Sequence, residues 1–124
     1  MSRSNTACFD FRKGVAYDHD AKRQFHSHAR RQLRRLADAL GLTPGDYDLR
    51  NNEGGIAVSG EITLHTAHLY VQVCQPASGN DSGVLFRSCD GRKDYTGGRN
   101  HFASLDLLNE PKQLARRICA ACPL

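Results

Sequence analysis

The feature that most constrains the fold is an apolar stripe along residues 18–42. Its members recur mostly at intervals of three and four residues, the spacing that places side chains on one side of an α-helix. They are Ala21, Phe25, Ala29, Leu33, Leu36, Ala37 and Leu40. Asp18 or Asp20 can cap the start of this helix, and Gly41 followed by Pro44 can end it. The sequence therefore predicts one long helix whose apolar side faces a core.

The same helix holds much of the positive charge. Between residues 19 and 41 the net charge is +4, which equals the excess of the whole 124-residue chain. The basic residues, with one histidine, are predicted to cover the side opposite the apolar stripe: Lys22, Arg23, His26, Arg30, Arg31, Arg34 and Arg35. Like charges four residues apart, such as Arg30 and Arg34, repel each other. A bound anion would relieve that repulsion.

Alternating apolar and polar residues indicate strands in the middle of the chain. Residues 56–65 and 69–74 alternate on either side of a short turn, as a hairpin would, and residues 84–89 make a third run. The preceding residues 46–55 are interpreted as a polar linker that ends in a turn. This alternation indicates a sheet with one solvent-exposed face and one face buried against another layer.

The C-terminal part predicts a second helix. Ser104 or Asp106 can cap a short helical turn, and Asn109 is the predicted N-cap of a helix with a proline in its first turn. We expect an α+β two-layer sandwich. In it, the long N-terminal helix and the C-terminal helix pack on one face of a three- to four-stranded antiparallel meander.

The length fits a single domain, residues 1–124, in which residues 1–14 form a flexible or edge-strand arm. No run approaches the roughly 20 apolar residues of a membrane span, and the start lacks the apolar core of a secretory signal. The five cysteines are an odd number without the spacing of a secreted disulfide scaffold. We therefore expect a cytoplasmic protein with reduced thiols and no membrane partner.

A second basic segment surrounds the glycine pair at residues 97–98. Consecutive backbone N–H groups in a glycine turn can hold an anion, and neighbouring side chains can add hydrogen bonds or stacking. The candidate residues here are Arg92, Lys93, Tyr95, Arg99 and His101. Because the segment matches neither GxxxxGK[ST] nor GxGxxG, a purely structural turn stays open beside the anion-binding interpretation.

Metal binding and catalysis have less support in the sequence. Cys119 and Cys122 have CxxC spacing but fall on the last helical turn, without a second pair at the distance that zinc sites use. A set of three carboxylates and one lysine loosely suggests a nuclease-like cluster, although solvated strand residues explain it equally well: Glu61, Asp90, Asp94 and Lys93. Neither HExxH nor GxSxG is present. We therefore assign no cofactor, metal or catalytic residue, and keep a small metal-dependent nuclease as a second alternative.

The order of elements over residues 18–122 resembles that of the double-stranded RNA-binding domain. Residues 104–108 lack the lysines with which that family begins its second helix, and the turn at residues 65–68 is shorter than its loop between the first two strands. Both differences fall on positions that contact RNA in that family. The resemblance is therefore one of element order, and no function is carried over.

The basic helix gives the leading functional hypothesis. Arginine donates paired hydrogen bonds to phosphate oxygens, and several such contacts release counterions from a nucleic acid. We expect a small non-enzymatic binding protein that contacts DNA, RNA or another polyanion through this helix. The alternative is a protein-interaction module, of accessory or inhibitor type, that docks an acidic partner. The alternative to both hypotheses is that these basic residues form only the solvated face of an amphipathic helix and bind no partner.

Overall fold

The computed structural model describes residues 9–76, 82–91 and 98–122. There, two helices pack against a five-stranded antiparallel sheet, so the predicted α+β layout is confirmed with one strand more than expected. The elements are α1 (His19–Ala39), β1 (Tyr47–Asn52), β2 (Glu61–Thr66), β3 (Leu69–Cys74), β4 (Val84–Ser88), β5 (His101–Ala103) and α2 (Pro111–Ala121). Short 3₁₀ turns at Pro44–Asp46 and Leu105–Asn109 precede β1 and α2.

Helix α1 begins and ends where the sequence predicts. The Asp18 carboxylate accepts a hydrogen bond from the backbone N–H of Ala21, which satisfies a free donor of the first turn. Gly41 follows the C-cap in the left-handed region, with φ +79°. The stripe residues Phe25 and Leu33 are fully buried, and each such side chain contributes roughly 1.5–3 kcal/mol of hydrophobic stabilisation.

The sheet is a meander in which every strand pairs with its neighbours in the chain, in the order β1-β2-β3-β4-β5. Alternate residues of the central strands form two buried rows that belong to the same core cluster as the α1 stripe. One row contains Ile62, Val73, Val84 and Ala103, and the next contains Leu64, Val71 and Phe86. The predicted alternation is confirmed for these strands.

The segment between α1 and β2 differs from the prediction. Residues 47–52 were expected in a polar linker but form the edge strand β1, with Leu49 paired opposite Leu64. Ile56 and Val58 were expected in a strand but lie exposed in the β1–β2 loop, residues 53–60. Gly60 explains the break, because its φ is +75° and a Cβ there would collide with the carbonyl oxygen of Asn52.

The remaining boundaries are close to the prediction. Ser104 caps the second 3₁₀ turn by accepting from the backbone N–H of Asp106. The N-cap of α2 is Glu110, one residue later than predicted. In the N-terminal arm, Phe11 and Val15 are buried in the core, and residues 9–14 form no strand. The edge-strand interpretation is therefore wrong for residues 9–14.

Candidate nucleic-acid interface

The predicted basic face of α1 divides into two sets of residues. Positions 22, 26 and 30 are four residues apart, share one side of the helix and contact β1 or the β1–β2 loop. We call Lys22, His26 and Arg30 the loop-facing group. The other four predicted residues are exposed, and we call them the outer arginines: Arg23, Arg31, Arg34 and Arg35.

Lys22 is only 5% exposed, because its ammonium group reaches under the β1–β2 loop. It donates to the carbonyl oxygens of Glu53 at 3.1 Å and of Gly55 at 2.8 Å. A buried ammonium needs such acceptors, since its transfer from water without them is costly. Lys22 therefore fastens the loop to α1 and does not lie on the solvent face where the sequence placed it.

His26, 3% exposed, fastens the other side of the same loop. Its Nε2 lies 2.9 Å from the carbonyl oxygen of Ser59, and its Nδ1 lies 2.7 Å from the side-chain nitrogen of Asn51. The Asn51 oxygen accepts from the Arg30 guanidinium, which fixes the orientation of the amide. The amide nitrogen then donates to Nδ1, so the proton of the imidazole lies on Nε2 and is donated to Ser59. His26, like Lys22, does not share the solvent face with the outer arginines.

The outer arginines face solvent. The Arg35 guanidinium donates to the Gln32 side chain at 2.9 Å, and Gln32 donates in turn to the carbonyl oxygen of Leu108 at 2.7 Å. Within residues 9–76, 82–91 and 98–122, none of the four lies within ion-pair distance of a carboxylate; the ion pair found there joins Arg12 and Asp106. Among the described residues, their positive charge is therefore not neutralised by a directly paired carboxylate.

His28 shows that this charge acts on neighbouring groups. Its ring stacks on Phe9 at a centroid distance of 4.1 Å, next to the outer arginines. The pKa of His28 is lowered, first by burial and then by the positive charge of Arg31. Near neutral pH this histidine is therefore held in its uncharged form and adds nothing to the positive surface.

Helix α2 extends the basic surface beyond the prediction. Between the two helices runs a groove, the α1–α2 groove, made of two adjoining cavities of about 480 and 340 Å³ that share Ala39 and Lys112 in their linings. Arg35 lines the first cavity and Arg116 the second. Lys112 and Arg116 were missed from the sequence, although their spacing of four residues already places them on one side of the last helix.

The second predicted segment is only partly described. Arg92, Lys93 and Tyr95 lie outside the described residues. Arg99 is exposed, whereas the half-buried ring of His101 stacks on Phe86 at 5.5 Å. In the described ranges no hydrogen bond or ring contact joins Arg99 or His101 to the outer arginines. For the part of the second patch that is described, no contact therefore joins it to the first.

The candidate metal and nuclease residues that the structure describes form no cluster either. Cys119 is exposed and Cys122 is buried, and burial is the main cause that raises the pKa of the Cys122 thiol. No cluster of three or more His, Cys, Asp or Glu side chains suited to a metal occurs in the part of the chain that is described. Glu61 begins β2 and Asp90 follows β4, which the strand register places at opposite ends of the sheet. Lys93 and Asp94 lie outside the described residues.

Comparison with known proteins adds no relative: no protein-family model, curated protein or solved structure matches this chain. Among the described helices, none has the length and apolar character needed to cross a bilayer. The functional inference is therefore made from the charge, exposure and hydrogen bonding of the residues above.

Proposed function

We propose that this protein is a non-enzymatic nucleic-acid-binding protein whose outer arginines contact the phosphate backbone. One observation supports this most strongly. Four guanidinium groups stand on the outer side of one helix with no carboxylate partner in the described part of the chain, although Asp38 lies on the same helix. Guanidinium groups suit phosphate oxygens because their planar fork donates two hydrogen bonds at once.

The length of the arginine face suits a backbone contact. Arg23 and Arg35 are twelve residues apart, which is about 18 Å along a helix at 1.5 Å per residue. That distance corresponds to about five base pairs of a duplex at 3.4 Å per pair. Phosphate contacts of this kind fix position without reading bases, so the binding is proposed to be independent of sequence. The loop-facing group takes no part in it.

Fluorescence anisotropy with a labelled mixed-sequence duplex and a single strand of equal length tests this proposal. The wild type is expected to bind at low salt. Arg31→Glu with Arg34→Glu is expected to weaken binding by at least about 100-fold, because two contacts are replaced by repulsion. Measuring both probes separates a duplex partner from a single-stranded one.

A matched control is Lys13→Glu with Arg50→Glu, which changes the net charge equally at exposed positions outside α1. This control variant should bind both probes with an affinity within a few-fold of that of the wild type. The proposal fails if neither probe binds the wild type at the lowest salt. It also fails if the control loses as much affinity as the α1 variant, since net charge alone would then explain the binding. Retained binding of a short poly-aspartate peptide without binding of either probe would indicate the acidic protein partner instead.

A further inference from the structure

Apolar side chains that face water gather at the start of α1. The described residues include four large apolar side chains that are at least half exposed, and three of them lie here: Tyr17 at 72%, Ile56 at 71% and Val58 at 50%. The backbone N–H of Tyr17 donates to the carbonyl oxygen of Ile56 at 2.7 Å, which joins the two segments. We call these three residues the apolar tip. Clustered exposed apolar side chains are typical of contact surfaces.

The apolar tip is held in place rather than loosely attached. Lys22 binds the carbonyl oxygens of Glu53 and Gly55 on one side of Ile56, and His26 binds that of Ser59 on the other. Tyr17 itself has φ +66°, a left-handed conformation that is unfavourable for a residue with a side chain. The loop is thus held by hydrogen bonds from the buried Lys22, next to a Tyr17 in an unfavourable backbone conformation. Its exposed apolar side chains are not buried in the protein's own core.

The charges around the apolar tip restrict what can cover it. Asp18, Asp20 and Glu53 are exposed close to it in the chain, against one exposed arginine of the first helical turns, Arg23, while Lys22 is buried, so acidic groups are in excess there. A second apolar tip is a poor partner, because the same carboxylates would then face one another. A surface that combines an apolar floor with a positive rim is complementary.

This chain carries such a surface in the α1–α2 groove. The apolar part of its lining comes from Ala39, Pro111 and Ala115, and cations from both helices stand at its edges. The charged residues of the lining are Arg35, Lys112 and Arg116 together with Asp38 and Glu110, so cations are in excess. Two adjoining cavities offer separate room for two of the side chains of the apolar tip.

We propose that the apolar tip of one copy inserts into the α1–α2 groove of a second copy, so that the chain associates head to tail. Tyr17 and Ala39 lie at opposite ends of α1, about 30 Å apart, so a molecule cannot fill its own groove. A contact between two different surfaces repeats into an open chain or a ring. Because the contact is small, we expect a dissociation constant between about 10 µM and about 1 mM.

Analytical ultracentrifugation of the full chain, free of nucleic acid, tests this inference over that concentration range. The wild type is expected to show an average mass that rises past that of a dimer. Ile56→Asp, in the apolar tip, and Lys112→Glu with Arg116→Glu, in the groove, are each expected to weaken association by at least about tenfold. An equimolar mixture of these two variants should form a dimer and stop there, because one supplies the intact groove and the other the intact tip.

A third variant separates association from folding. Tyr17→Gly removes an exposed ring and suits the left-handed backbone, so it should keep the thermal midpoint of the wild type while weakening association. The inference is wrong if the wild type stays monomeric at the highest concentration, or if the tip and groove variants associate as the wild type does. It is also wrong if the mixture of variants remains monomeric, which would indicate contact between like surfaces. None of these measurements involves nucleic acid, so their result is independent of the anisotropy test of the proposed function.

Discussion

Two sides of helix α1 carry the same kinds of residue and differ in what those residues contact. In the loop-facing group, Lys22 and His26 are buried and bound to carbonyl oxygens of the β1–β2 loop. On the outer side, Arg31 and Arg34 are exposed and have no carboxylate partner among the described residues. Basic residues on one helix therefore cannot be given one role together: Lys22 and His26 fasten a loop, whereas the outer arginines are exposed, and only the outer arginines enter the proposed binding.

The largest expected difference between the two sides is in stability. Lys22→Ala leaves the carbonyl oxygens of Glu53 and Gly55 without their donor, so the free energy of unfolding should fall by about 2–3 kcal/mol. Arg34→Ala, the matched change on the outer side, should alter it by no more than about 0.5 kcal/mol. Urea denaturation of both variants measures this. Equal losses would show that the two sides do not differ as described.

A smaller effect of opposite sign is expected from Arg31→Glu. The new carboxylate lies four residues before Arg35, so a repulsive pair becomes an attractive one and the free energy of unfolding should rise by about 0.3–0.5 kcal/mol at low salt. The same substitution should weaken nucleic-acid binding. Denaturation and anisotropy on the same preparation test both parts. A variant that loses both stability and binding would indicate that Arg31 has a structural role.

The smallest effect concerns pH. Because the native pKa of His28 is lowered from the usual value of about 6.5, the unfolded chain takes up this proton first as the pH falls. The contribution of His28 to stability is therefore present above about pH 6.5, and it is lost as the pH falls through the lower native pKa. Arg31→Ala removes one cause of the shift, so NMR titration should show the pKa of His28 rising toward its usual value. Arg34→Ala should change it less, and equal changes would contradict the assignment to Arg31.

The helices could be predicted because local patterns determine them. The spacing of Phe25 and Leu33 gives the buried side of α1, and Asp18 gives its start. Strand β1 could not be predicted, because an edge strand rich in Asp and Asn has little intrinsic strand preference and forms through its pairing with β2. Ile56 and Val58 continue the alternation of a strand, yet the turn at Gly60 places them in a loop.

The candidate site could be predicted only in part for a related reason. Helical spacing gives the direction of Lys22 and His26 but not the loop that packs over them, so both were placed on the solvent side. Lys112 and Arg116 were missed because the predicted packing of both helices on one face of the sheet does not determine which side of α2 lies beside α1 and which side stays exposed. Which basic residues are exposed depends on tertiary contacts between segments far apart in the sequence.

The central claim is that the outer arginines, and not the loop-facing group, bind phosphates. The most direct measurement is the dependence of duplex affinity on salt, for the wild type and for a variant with Arg23, Arg31, Arg34 and Arg35 all changed to Gln. Each phosphate contact contributes about −0.9 to the slope of log K against log salt, so the slope should become less negative by about 3 to 4. An unchanged slope would contradict the claim.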